Sequence, residues 1–108
     1  METEEQILLK EFIGALAEVM TNVVGIKNVQ TLLYEYFPNK EITIDAWGKV
    51  ELQQERAKEH TKKFATFIVD RLVKNFGREF TEHNLRLIHT FLQHKYRDPE
   101  KIRAVVNL

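Results

Sequence analysis

The feature that most constrains this chain is a long amphipathic segment near its amino terminus. Apolar residues recur there at every third or fourth position, as on one face of an α-helix; they are Leu9, Phe12, Leu16, Val19 and Val23. Four further apolar residues widen this stripe: Leu8, Ile13, Met20 and Val24. A stripe wider than one neighbouring helix would cover belongs either at the centre of a helical bundle or against a partner subunit. We favour the central position, because wide apolar faces are generally buried.

The same segment, residues 7–26, has about the length of a membrane-spanning helix. It contains Lys10, Glu11 and Glu18, however, and charged side chains are costly in lipid. The opening residues "METEEQILLK" are acidic where a secretory signal would be basic. The chain also has no cysteine, which fits a reducing compartment. We therefore predict the core helix of a cytoplasmic protein with no membrane partner.

Glycine, proline and capping residues predict the ends of the first two helices. Thr3 and Gln6 match a capping box at the start of the first helix. Gly25 ends that helix, because glycine adopts the left-handed backbone angles of a C-cap without strain. A second helix fits residues 27–37 and ends before Pro38, since the residue before a proline avoids helical angles.

The middle of the chain is less regular. Ile42 and Ile44 alternate with polar residues, but a single short strand has nothing to pair with. We therefore predict an extended connector that these isoleucines and Trp47 fix to the core. A helical stretch is then expected from about Asp45 to Phe76, with or without a break, in which the polar segment "QQERAKEHTKK" is a solvated helix or a hinge. The apolar residues of its second half are Phe64, Ala65, Ile68, Leu72 and Phe76.

The carboxyl-terminal part predicts two more helices. Gly77 separates the first of them from the preceding helix, and Thr81 is expected to be its N-cap. Its inward-facing residues are Leu85, Ile88, Leu92 and Tyr96. A terminal helix is capped by Asp98 and has Pro99 at its first position. Its inward-facing residues are Ile102, Val105 and Val106. The prediction is one all-α domain over residues 1–108, a compact bundle of four to five helices whose carboxyl-terminal half is compatible with a helix-turn-helix.

The zero net charge of the chain conceals an uneven distribution. Residues 1–53 contain four basic and nine acidic residues, a net charge of −5. Residues 54–108 contain twelve basic and seven acidic residues, a net charge of +5. A basic half indicates a binding face for nucleic acid. It would suit equally well a homodimer in which the acidic half of one copy packs on the basic half of the other.

Sequence patterns of catalytic and metal sites do not occur. Helical bundles often hold metals through Glu-x-x-His pairs, and none is present. His83, His89 and His94 are six and five residues apart, which directs them to different sides of a helix. Serine and cysteine are absent, so the chain has neither a serine nor a cysteine nucleophile. The four glycines are isolated, so the sequence has no glycine-rich phosphate-binding loop. We predict a non-enzymatic protein with no catalytic residues, metal or cofactor.

Polar residues follow one side of the helix predicted over residues 81–97: Glu82, His83, Arg86, Thr90, Gln93 and Arg97. At about 100° per residue they occupy roughly a third of the circumference, opposite the leucines. Arginine and glutamine bind base edges, and threonine and histidine contact phosphates or bases. With the preceding helix and the turn "GREF", this helix has the outline of a recognition helix in a helix-turn-helix. Among the basic residues nearby, we select Lys74 and Arg78 for phosphate contacts.

About 30 residues of this region resemble a known family. The stretch "FIVDRLVKNFGREFTEHNLRLIHTFLQHKY" is similar to part of the amino-terminal domain of bacterial nucleases whose carboxyl-terminal half has a restriction-endonuclease-like fold. The matching positions are Phe76, Gly77, Phe80, Thr81, Asn84, Leu85, Ile88, Phe91 and Tyr96. The resemblance implies a helical, winged-helix-like unit that contacts DNA near residues 81–97. Glu79 replaces the family's second glycine, and the resemblance does not extend to the nuclease half, so no nuclease activity is implied.

Two functions follow as hypotheses. The first is a regulatory module that contacts nucleic acid through its basic carboxyl-terminal half. The second is an oligomerisation or adaptor protein that binds a partner chain through the wide apolar face of its first helix. A third and weaker hypothesis is a sensor of small ligands, in which Tyr34, Phe37 and Trp47 line a cavity.

Overall fold

A computed structural model describes residues 3–95 of the chain. Within this range it contains helix α1 (Glu4–Val24), helix α2 (Ile26–Tyr36), strand β1 (Ile42–Ile44), strand β2 (Val50–Leu52), helix α3 (Ala57–Phe76) and helix α4 (Arg78–Lys95). The predicted all-α bundle is confirmed, with a short antiparallel hairpin added to it. The terminal helix predicted after Asp98 lies outside the described residues.

Helix α1 is the centre of the bundle, because α2, α3, α4 and β2 all pack against it. Its wide apolar face is buried in the core of its own chain; the buried residues include Leu8, Leu9, Phe12, Ile13, Leu16, Ala17 and Met20. The preferred central position is therefore confirmed. The buried residues of this face are therefore not available to a partner chain, whereas Val23 at its end is 38% exposed, and the second hypothesis stays a prediction.

The start of α1 has half of the predicted capping box. The hydroxyl oxygen of Thr3 accepts a hydrogen bond from the backbone N–H of Gln6 at 3.1 Å, as expected for an N-cap. The Gln6 amide does not return to Thr3 but donates to the carbonyl oxygen of Leu52 at 3.2 Å. This buried side chain therefore joins α1 to the hairpin.

Two glycines divide the helices. Gly25 separates α1 from α2, and Gly77 separates α3 from α4. Their φ angles are 88° and 89°, with ψ angles of 154° and 167°. These angles lie outside the left-handed helical region that was predicted for Gly25, in a region open essentially only to glycine. The positions of the breaks are as predicted, and α2 ends before Pro38 as expected.

The predicted connector is wrong, because residues 42–52 form a β-hairpin. Ile42 pairs with Leu52 and Ile44 with Val50. The four side chains alternate into the core, and Gln30 of α2 donates to the carbonyl oxygen of Ile44 at 3.1 Å. The hairpin is short for independent stability, so its packing on α1 and α2 stabilises it. The sequence did contain a signal for the second strand: Val50 and Leu52 alternate with a polar residue directly after a turn that contains Asp45 and Gly48.

Two helix starts also differ from prediction. Helix α3 begins at Ala57 rather than near Asp45, because the hairpin and a turn occupy the intervening residues. Helix α4 begins at Arg78, so Thr81 is not an N-cap. Thr81 lies inside the helix, buried, and its hydroxyl donates to the carbonyl oxygen of Gly77 at 2.9 Å. The turn "GREF" is consequently reduced to one non-helical residue, Gly77, shorter than the usual three to four residues of a helix-turn-helix.

Candidate interaction surface

The polar side of α4 faces solvent. His83, Arg86, Thr90 and Gln93 are all exposed. Helical spacing places them within about 80° of one another, on the side opposite the buried Ile88 and Leu92. Exposed Lys74 and Arg78 lie at the preceding helix junction, and Arg97 lies outside the described residues. The four described residues of the predicted recognition face therefore share one accessible surface, and their proposed contact with nucleic acid stays a prediction.

The charge on this polar side is mixed. Glu79 and Glu82 follow the same side of α4 as Arg86 by helical spacing, and both are exposed. Lys74 forms an ion pair with Asp70 at 3.1 Å. The local positive charge is consequently smaller than the net charge of the carboxyl-terminal half suggests.

A second surface of α4 is apolar. Phe80, Leu87 and Phe91 are 37%, 54% and 49% exposed, and we call this row the apolar edge. Spacings of seven and four residues place them within about 40° of one another, between the core side and the polar side of the helix. At one end the ring of Phe76 lies 5.3 Å from that of Phe80. Large apolar side chains aligned in this way mark an interaction surface more often than isolated ones do.

Two residues of the apolar edge, Leu87 and Phe91, form one wall of a surface depression between α1 and α4, the α1–α4 groove, of about 230 Å³. Its lining residues are Ala15, Glu18, Val19 and Asn22 of α1 and Asn84, Leu87, Ile88 and Phe91 of α4. Small Ala15 leaves space on the α1 side, whereas Leu87 and Phe91 supply apolar surface on the α4 side. The groove therefore combines an apolar wall with the polar groups of Glu18, Asn22 and Asn84.

A second depression adjoins the groove across Glu18 and Asn22. It has a volume of about 530 Å³, and the hairpin tip forms its far side with Ala46, Trp47 and Gly48. Trp47 was expected to fix a connector to the core, but it is 92% exposed. Asp45 orders the hairpin tip that carries Trp47. Its carboxylate oxygen accepts hydrogen bonds from the backbone N–H groups of Trp47 and Lys49, both at 2.8 Å.

Both depressions share one carboxylate, that of the exposed Glu18. Within residues 3–95, no basic side chain forms an ion pair with Glu18. Glu11 lies one helical turn from Ala15 and pairs with Lys95, which ties the end of α4 to α1. A ligand of this surface would meet an exposed carboxylate beside apolar side chains, a combination that favours a cationic and apolar partner.

Sequence reasoning did not find this surface. Leu87 and Phe91 each precede a core residue, Ile88 and Leu92, so α4 carries apolar residues on more of its circumference than one packed side requires. This excess of apolar residues on α4 was the sequence feature that could have revealed the surface. The ligand-sensor hypothesis fails geometrically: Phe37 is buried, whereas Tyr34 and Trp47 are exposed, so the three do not line one cavity.

Residues 3–95 contain no group of three or more histidine, cysteine or acidic side chains placed to hold a metal ion. In the same part of the chain, no helix has the length and apolar character needed to cross a membrane.

Comparison with known proteins gives no relative. No protein-family model, no curated protein and no solved structure matches the chain.

Proposed function

We propose that this chain is a non-enzymatic interaction module that binds a helical segment of another protein in the α1–α4 groove. The observation that carries the proposal is the pair of large apolar side chains, Leu87 and Phe91, that line the groove and are 54% and 49% exposed. This keeps the adaptor function predicted from sequence but moves its surface from α1 to α4.

A helical ligand suits the shape and chemistry of the groove. Amphipathic helices bind other proteins by laying an apolar face into a groove between elements, with anchors three, four and seven residues apart. The apolar edge offers two matching contact points, Leu87 and Phe91, one helical turn apart. The amide groups of Asn22 and Asn84 at the margin can satisfy polar groups of the ligand.

The charge of the groove selects the ligand. Glu18, the one charged residue that lines the groove, has no ion-pair partner in the described part of the chain. A ligand helix with lysine or arginine beside its apolar face would gain from this charge, mainly in association rate and specificity. The proposed partner is therefore a basic amphipathic helix.

The proposal is tested with two peptides. One is an amphipathic helix with a leucine face and lysines opposite, and the other has glutamates in place of the lysines. We expect fluorescence anisotropy to show binding of the basic peptide and affinity at least about tenfold lower for the acidic one. Equal affinity for both peptides would contradict the proposed charge selection.

A substitution distinguishes binding in the groove from non-specific binding elsewhere on the protein. Leu87→Asp should weaken binding of the basic peptide at least about tenfold, because burial of a leucine contributes roughly 1.5–3 kcal/mol. The added negative charge alone would strengthen binding of a cation, so a loss must come from the apolar contact. Tyr34→Asp makes the same charge change at an exposed site outside the groove. If both variants bind as the wild type does, the proposed site is wrong.

A second candidate function is nucleic-acid contact through the polar side of α4. One observation favours it: His83, Arg86, Thr90 and Gln93 are exposed together. Binding to a random duplex should then fall steeply with salt, since counterions are released from the phosphates. An Arg86→Ala/Arg97→Ala variant should lose that binding, whereas Arg56→Ala, at an exposed site before α3, should keep it. Absence of duplex binding at low ionic strength would exclude this candidate.

A further inference from the structure

The second depression, between the hairpin tip and α1, is lined by a tryptophan that the fold leaves in water. Trp47 is 92% exposed, the largest fraction among the exposed large apolar side chains of residues 3–95. In that part of the chain its ring meets neither another aromatic ring nor a cation. The tip is nonetheless fixed, since Asp45 donates its backbone N–H to the carbonyl oxygen of Lys49 at 3.0 Å and accepts that of Gly48 at 3.1 Å. Tryptophan is highly buried on average, so an exposed one on a fixed turn suggests a ligand.

Glu18 of α1 supplies the charge of this depression. It lines the second depression together with Trp47, and it also lines the α1–α4 groove. By helical spacing, Ala15 lies about 60° to one side of Glu18, in the groove, and Gly14 lies about 40° to the other side, in the second depression. The Glu18 carboxylate therefore stands on the ridge that separates the two depressions, within reach of a ligand in either one.

A carboxylate beside an indole ring matches arginine better than any other side chain. The planar guanidinium stacks on an aromatic face, and its forked N–H groups bind a carboxylate through two hydrogen bonds. The lysine ammonium is a compact, strongly hydrated point charge without this planar contact. The fold itself contains such a pair, since the guanidinium carbon of Arg71 lies 5.2 Å from the ring centre of Phe67. Lys49, the basic residue of the hairpin tip, pairs instead with Glu51 at 3.7 Å.

We propose that the second depression is an arginine subsite of the α1–α4 groove, in which an arginine of the partner helix lies on the Trp47 ring and pairs with Glu18. This rests on the proposed function, because the arginine belongs to the helix bound in the groove. The apolar face of that helix contacts Leu87 and Phe91, and its arginine extends across the α1 ridge to the hairpin tip. The subsite selects arginine over lysine, a choice that the charge of Glu18 alone does not make.

Trp47 is the only tryptophan in the chain, so its fluorescence reports on the subsite directly. Two basic peptides without aromatic residues are compared; both have the same leucine face, and one carries lysines where the other carries arginines. We expect the arginine peptide to shift or quench the Trp47 emission and to bind about three- to fivefold more tightly than the lysine peptide. Trp47 emission that does not change when anisotropy shows the arginine peptide to be saturating would overturn the subsite.

Removal of the ring tests the selectivity. Trp47→Ala should lower the affinity for the arginine peptide about three- to fivefold, so that the two peptides bind with similar affinity. Tyr34→Ala is the matched control, because it removes an exposed aromatic ring of α2 that lines neither depression. It should change neither affinity.

The outcomes separate this inference from the proposed function. An arginine preference that persists in Trp47→Ala overturns the subsite. Equal losses for both peptides also overturn it, since Trp47 would then be an apolar contact without selectivity. In either case, loss of binding in Leu87→Asp, which leaves the hairpin tip unchanged, still supports the helix in the groove. If neither peptide binds the wild-type protein, the proposed function fails and the subsite with it.

Discussion

Helices α1 and α4 both carry apolar residues on more than one side, yet α1 buries most of its own, except Ile7 and Val23 near its ends. Phe12 of α1 is 1% exposed, whereas Phe91 of α4 is 49% exposed. The reason is position, since α1 has neighbours on several sides and α4 packs on α1 and α3. A wide apolar face therefore marks the core only when the helix is central; on an outer helix the surplus becomes a surface for binding.

The largest expected effect compares the same substitution in the two helices. Phe12→Ala should lower the free energy of unfolding by about 3–5 kcal/mol, because it removes a buried ring and leaves a cavity. Phe91→Ala should cost less than about 1 kcal/mol, since half of that ring is already in water. Urea denaturation followed by circular dichroism measures both. Similar losses would mean that the apolar edge is part of the core.

A smaller effect on stability is expected when a glycine between two helices, Gly77, is compared with a glycine inside α1, Gly14. Gly77→Ala should destabilise the fold by about 1–3 kcal/mol, because alanine is strained at a φ of 89° even though its methyl group would contact nothing. Gly14→Ala should leave stability unchanged or raise it by up to about 1 kcal/mol, since alanine favours a helix and its Cβ would lie 3.7 Å from Val50. The two melting temperatures should therefore shift in opposite directions, and a shift of the same sign would contradict this account.

The smallest effect concerns the ion pair that joins the two helices. Glu11→Gln should lower stability by less than about 1 kcal/mol, and the loss should disappear in high salt, because exposed ion pairs are weak and screened. Glu18→Gln is the matched control in α1, since no basic side chain in residues 3–95 pairs with it. Equal destabilisation by both changes would show that Glu11 acts through something other than Lys95.

The candidate site was only partly predictable. Exposure of Arg86 followed from the helical period of α4, because the buried Ile88 and Leu92 fix which side faces water. The groove did not follow, because it depends on how close α4 lies to Ala15 and Glu18, residues about seventy positions away in sequence. Trp47 was misplaced for the same reason: its position depends on a strand pairing that one alternating stretch did not reveal.

The sequence by itself determined the helical segments, the start of α1 and the breaks between the helices, but not where α3 and α4 begin. The apolar period of α1 and α4, the stops at Gly25, Pro38 and Gly77 and the cap at Thr3 act within a few residues, through backbone sterics and local hydrogen bonds. The tertiary structure decided what these elements became. Hydrogen bonds from Gln6 and Gln30 to the strands stabilise the hairpin, and the neighbours around each helix decide which apolar residues reach the core. Both depend on contacts between distant parts of the chain, which no local pattern specifies.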